Sequence, residues 1–265
     1  MKKMKPIVVY DFERLMPPDA RSFVRTYLES PPPRAPPYPF VEFRLVDSFF
    51  HNRHTGKDDD DDVNDDDNDA KRVVLYVLLG IRPGSYVNAI SSRVDGGGTT
   101  SSTLPPTTNE DDQRSDAACF PDSMICRVPR EYGLSITFRN LVSVMPDFQS
   151  RGIRRRLQHR FPRVRHFRLI WFNANNWVAP PLVSRMDVDS YREYVTAHEM
   201  GHALGFWRHE HACRPDGRVS IMDQQTMGTF TCRPHRAGLP LTREDQKMIQ
   251  YAFEHDILRY STKIK

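Results

Sequence analysis

The longest unbroken apolar run is Val73 to Ile81, which is too short to cross a bilayer. It reads as a buried strand over Arg72 to Ile81, closed by a turn at Pro83–Gly84. Two further strand-like runs follow, Leu134 to Phe138 and Phe167 to Phe172. After them the period changes. Tyr191, Val195, His198 and His202 recur at helical spacing. Ser190 with Glu193 reads as a capping box that starts this helix, and Gly205 reads as its stop. Strands and helices in this order predict an α+β domain, and no internal repeat is present.

The other segments lack such patterns. The start, MKKMKPIVVYDFERLM, is basic but has only a short apolar run before Asp11, Glu13 and Arg14, so it does not read as a secretory signal. Prolines cluster from Pro31 to Pro39, favouring extended backbone. Residues 57–70 are an aspartate block that lacks the ligand spacing of a calcium loop, and they read as a solvated insertion. Residues 95–117 read as a flexible loop. These signals divide the chain into a poorly ordered N-terminal region, 1–70, and a folded domain, 71–260.

Charge changes the picture only locally. The formal net charge is +4. Setting aside the nine aspartates of 58–69 leaves 38 basic against 34 − 9 = 25 acidic residues, or +13 elsewhere. Eight arginines and no acid lie between Arg151 and Arg168. With few aromatics and no nucleic-acid motif, that run predicts a helix and strand with a basic solvated face, or a patch facing a ligand or another segment of the chain. No nucleic-acid partner and no membrane span are expected, and a monomer is. Four cysteines, Cys119, Cys126, Cys213 and Cys232, allow three pairings and form no CxxC zinc site.

The candidate chemistry sits in the predicted helix. His198, Glu199 and His202 form HExxH, which chance would supply on the order of 0.01 times in a chain of this length. At 100° per residue the two imidazoles share one helix face and can grip one Zn2+ ion, and Glu199 falls within the same arc. Zinc held by three protein ligands leaves a place for water and acidifies it. Glu199 can take that water's proton and later pass it to a leaving amine.

The residues HEMGHALGFW, followed by His209-Glu210-His211, resemble the metzincin metallopeptidases and, within them, the astacin-like group. The likeness covers about Val195 to Met222, where Arg214-Pro215-Asp216 and Ser220-Ile221-Met222 are also similar to that group. Leu241 to Asp245, with Ile249 and Tyr251, resembles its closing helix. The resemblance implies a metzincin-like zincin fold, a twisted, mostly parallel sheet over the zinc helix. It implies zinc-dependent cleavage of internal bonds in a protein or peptide substrate, a secreted setting, a catalytic domain over 71–260 and, in 1–70, a candidate removable prosegment. The basic Arg151–Arg168 patch would then face substrate or prosegment. Gly205 would let the chain turn back to a third ligand, and Met222, rather than Met227, would form the methionine turn beneath the metal.

The sequence departs from the signature at two places. Arg208 stands where the third histidine belongs, and His209 follows one residue late. A bulged turn can present His209, His211 can reach in, or the third histidine is missing. His209 is the reading adopted, so the metal set is His198, His202 and His209 with Glu199 catalytic. Two other readings stay open. One is a degenerate metzincin that binds protein partners. The other is a zinc hydrolase whose third ligand is a carboxylate, Asp216 or Glu244. The second departure is Gln224, where the group carries a tyrosine that helps the oxyanion. Cys213 and Cys232 flank the proposed methionine turn, and the secreted setting implied by the resemblance suggests a disulfide between them, against two free thiols in a reducing one.

Overall fold

Every position of Ile7–Phe12 is buried, and so are the first eight of Val73–Arg82. Strands buried on both faces read as continuous apolar runs, and these two, β1 and β3, lie side by side in the middle of a parallel sheet. The computed structural model describes residues 4–29, 36–46, 67–83, 134–145, 152–229 and 231–259. Glu42–Leu45 (β2) pairs with β1 on one side. His166–Asn173 (β5) pairs with β3 on the other, and Ile136–Phe138 (β4) closes that side antiparallel to β5. The order is β2-β1-β3-β5-β4, so the sheet is mostly parallel with an antiparallel edge.

Helices cover both faces. Pro18–Glu29 (α1), Val188–Ala203 (α4) and Arg243–Phe253 (α5) pack on one, over Val8, Tyr10, Leu75, Val77, Ile170 and Phe172. Ile153–Arg160 (α2) packs on the other, where Ile153 and Leu157 meet Val9, Tyr76, Leu78 and Leu169. The short helix Ala174–Val178 (α3) follows β5 directly and seats Trp177 against Phe172, with ring centroids 5.1 Å apart. Among the described residues no helix is long and apolar enough to cross a membrane.

The three strand expectations fall close to the observed strands, with ends shifted by one or two residues. The expectation for 1–70 does not hold for its described residues. β1 and β2 are integral to the sheet, because β2 and β3 pair along both edges of the apolar run Ile7–Tyr10 while the packed helices, α1 among them, bury its two faces. Removing 1–70 as a prosegment would take away two strands of five. A boundary at residue 71 therefore cuts one hydrophobic core in two. Within the aspartate block, Asp67–Ala70 forms a helical turn and Asp69 pairs with Arg44 and Arg72 at 2.7 and 2.5 Å. Residues 57–66, 84–133 and 146–151 lie outside the described residues, which takes in the 95–117 loop, Gly84, Cys119 and Cys126.

Candidate metal centre

α4 carries the HExxH residues and is buried almost all round. Its start differs from the capping-box expectation. Asp187 is the N-cap, and its carboxylate accepts from the Ser190 N–H at 2.7 Å and the Ser190 hydroxyl at 2.9 Å. Ser190 is thus inside the first turn. Glu193 reaches forward instead, accepting from the Gly238 N–H at 2.9 Å. Aspartate wins because its carboxylate, three residues upstream, satisfies the free Ser190 N–H and also engages the Ser190 hydroxyl.

The other end is as expected. The helix stops at Ala203, and Gly205 has φ +108°, a conformation that disfavours any side chain. Space forbids one as well, since a Cβ there would lie 2.9 Å from Asp256 Cβ and 3.2 Å from the Ala252 carbonyl oxygen.

Backbone carbonyls aim the two helical imidazoles. His198 Nδ1 lies 2.9 Å from the Ile221 carbonyl oxygen, and His202 Nδ1 lies 2.6 Å from that of Phe206. Nδ1–H donation in each ring leaves Nε2 as a lone-pair donor to a metal. The two Nε2 atoms are 3.1 Å apart, near the roughly 3.3 Å expected of two nitrogens on one tetrahedral zinc. After Gly205 the chain turns back and brings His209 to them, with ring centroids 5.3 Å from His198 and 5.1 Å from His202. Ligand atoms of all three lie within 4.8 Å of one another. Burial pushes His198 well below the usual histidine range and His202 down to about 4, so both are neutral near pH 7, as metal ligation requires. The donor set therefore fits a metal ion that prefers imidazole.

Glu199 is buried beside them. Burial raises its carboxyl to about 7, and the Thr137 hydroxyl, donating to Oε2 at 2.7 Å, works against that rise. Thr137 is the middle residue of β4, and the sequence offered no signal for it. Met222 is fully buried beneath the helix, where a Cβ on Gly201 would come 2.5 Å from its Sδ. Only glycine allows that approach, one residue before His202.

The rival ligands lie elsewhere. His211 Nδ1 pairs with Asp223 Oδ1 at 2.5 Å. Asp216 pairs with Arg218 at 2.7 Å, Glu244 is exposed in the first turn of α5, and Arg208 is exposed. Gln224 lines the same cleft as the histidines, its amide nitrogen 3.4 Å from His209 Nε2. The cleft measures about 430 Å³ and runs between α4 and Leu134 to Thr137.

The segment after the ligands is pinned in two ways. Cys213 and Cys232 form a disulfide, with Cα atoms 5.5 Å apart. Arg214 donates to Glu210, Ser220 and Asp245 at 2.7, 2.8 and 2.5 Å, tying residues 210–220 to α5.

A family described as "Protein of unknown function (DUF3152)" matches residues 163–238, which run from the approach to β5 through α4 to just beyond the disulfide. No curated protein and no solved structure matches the chain.

Proposed function

We propose that the protein is a zinc-dependent endopeptidase of metzincin type. The observation that supports this most is the convergence of His198, His202 and His209 beside the buried carboxylate of Glu199, at the wall of an open cleft. The metzincin-like reading of the fold belongs to the same proposal, and so does a secreted, oxidising setting, where the Cys213–Cys232 bridge would persist.

The three imidazoles would hold the ion. Bound zinc supplies Lewis acidity towards a water and a carbonyl oxygen. Glu199 would take the proton of the attacking water and give it to the leaving amine, acting within hydrogen-bond reach of both. Thr137 orients Glu199 and, being on β4, couples it to the sheet edge. Among the described residues the outer side of β4 is unpaired, and an extended peptide can add to such an edge through its backbone. Gln224 offers an amide donor on the cleft wall for charge that develops on the carbonyl oxygen. Neither the carboxylate-ligand reading nor the degenerate reading gains support, because neither Asp216 nor Glu244 is in the cluster and a third histidine is.

Metal analysis combined with Glu199→Gln tests the proposal. The purified protein should carry zinc, and the variant should keep it while losing about 10²–10⁴ in turnover. A Glu199→Gln protein that cleaves casein at the wild-type rate would remove Glu199 from the chemistry and end this reading.

A further inference from the structure

The arginine-rich run does not form one uniform solvated face. Arg155 and Arg156 are exposed on α2, but Arg154, Arg165 and Arg168 come together with Arg139 from the end of β4. These four guanidiniums, with Asn140 and His166, line a second cavity of about 260 Å³.

Arg168 is the informative member. It is only 6% exposed, and an arginine is almost never buried without a charged partner. One amino group donates to the Arg139 carbonyl oxygen, and the other lies 3.3 Å from Asp256 Oδ2. Its Nε has no hydrogen-bond partner among the described residues. Asp256 also accepts from the Trp207 indole N–H at 3.4 Å, so it is shared. Against four guanidiniums the described residues set that one carboxylate, an excess of 4 − 1 = +3 around a cavity. A cavity with that excess, and with a buried N–H left over, is built to receive an anionic group.

The position of the cavity says which anion. Trp207 lies between it and the histidines. The Trp207 ring stacks on His202 with centroids 6.0 Å apart and an interplanar angle of 9°, and it lines the large cleft. Arg139 and Arg168 approach the same ring, 4.3 and 5.2 Å from its centroid. Arg139 is also two residues beyond Thr137, the β4 residue that touches Glu199. A peptide paired along β4 would therefore reach Arg139 about 7 Å from Thr137, at the usual rise of a strand.

We propose that this cavity is a specificity subsite that receives an acidic side chain of the peptide substrate, two or three residues from the bond that is cut. The proposal rests on the endopeptidase reading and names its substrate class. The guanidiniums of Arg154 and Arg165 guard the mouth, and Arg168 forms the buried wall.

Matched fluorogenic peptides differing only by Glu or Gln at successive positions test it on the full chain. In a second arm, fluorescein-labelled forms of the same peptides are titrated by anisotropy into Glu199→Gln protein at low and high salt. Glu is expected to be favoured about tenfold in kcat/KM at one position, as a charge-assisted hydrogen bond implies, and in binding at low salt. Arg154→Gln with Arg165→Gln should bring the Glu/Gln ratio close to one. Arg165→Gln alone, at an exposed position, should lower it part-way. Cleavage with no Glu preference at any position, or a preference that both variants retain, overturns the subsite while leaving the peptidase reading intact. Protein that cuts no peptide but still binds Glu over Gln through Arg154 and Arg165 sinks the peptidase reading and keeps an acidic-peptide site. Binding of inorganic phosphate that quenches tryptophan fluorescence, with no discrimination between the peptides, marks a small-anion site and overturns the proposal.

Discussion

The N-terminal strands and the segment from Asp187 to Asp245 are opposites. The first carries none of the candidate chemistry, yet β1 occupies the second position of the sheet and is buried throughout. The second holds every candidate ligand, Met222 beneath them and a disulfide, yet it contributes no strand among the described residues. Tyr38 joins them. Fully buried, it donates its hydroxyl to the Ala197 carbonyl oxygen at 2.5 Å, one residue before His198. A site that is compact in sequence thus stands on support drawn from 159 residues away. Reactive groups can be local because a helix and a turn bring them together, but rigidity comes from a core that only distant strands complete.

Deleting residues 1–46 breaks this comparison most severely. The deletion uncovers β3 and removes buried area worth more than the roughly 5–15 kcal/mol that domains have in reserve. Thermal unfolding followed by circular dichroism should show no cooperative transition. A shortened chain that melts cooperatively and keeps its zinc would restore the prosegment expectation.

Within the chemical segment, His209→Ala should weaken zinc retention by more than the ~10–100-fold that an outer hydrogen-bond partner costs, and His211→Ala by much less. Competition with a chromogenic chelator measures both. The reverse order would pass the third-ligand role to His211.

The link between the regions should be smaller in effect. Tyr38→Phe keeps the packing and removes one buried hydrogen bond, for a loss of about 1–2 kcal/mol by denaturant unfolding. Zinc affinity should fall with it if the N-terminal strands hold α4 in place. Stability that falls with zinc affinity unchanged would show the two regions to be mechanically separate.

The smallest effect belongs to the helix start. Asp187→Ala should cost about 1 kcal/mol as a lost N-cap. The Ser190 N–H, helped by its hydroxyl, holds the Asp187 carboxyl below the usual range. A depressed folded-state value means that the ionised form is stabilised in the native protein. Its contribution is complete above the ordinary carboxylate range near ~4 and fades as pH falls through the lower folded value. The wild-type and alanine proteins should therefore converge in stability only in acid, and a constant gap down to that range would assign the cap to something other than charge.

How much could be read in advance follows the range of the forces. HExxH, the Gly205 stop and the Val73 strand were legible because each is a pattern over one helix turn or one strand, with the partner atoms a few residues away. His209 was legible only as one of three options, because the spacing of Gly205, Arg208 and His209 does not say how a turn absorbs an extra residue. The aspartate at 187 was missed because Ser190 and Glu193 satisfy the same local template, and nothing local ranks the two.

The sequence by itself determined the candidate set and its helix, since periodicity places His198, Glu199 and His202 on one arc whatever surrounds them. Tertiary structure alone decided that Thr137 meets Glu199, that Tyr38 holds the helix, that β1 and β2 complete the sheet, and that three arginines of a run read as solvated enclose a cavity with Arg139. Each of these joins groups far apart along the chain, and contacts of that kind follow from how β1, β3 and β5 order themselves in the sheet, a choice that burial of their shared apolar faces makes and no short stretch of residues records.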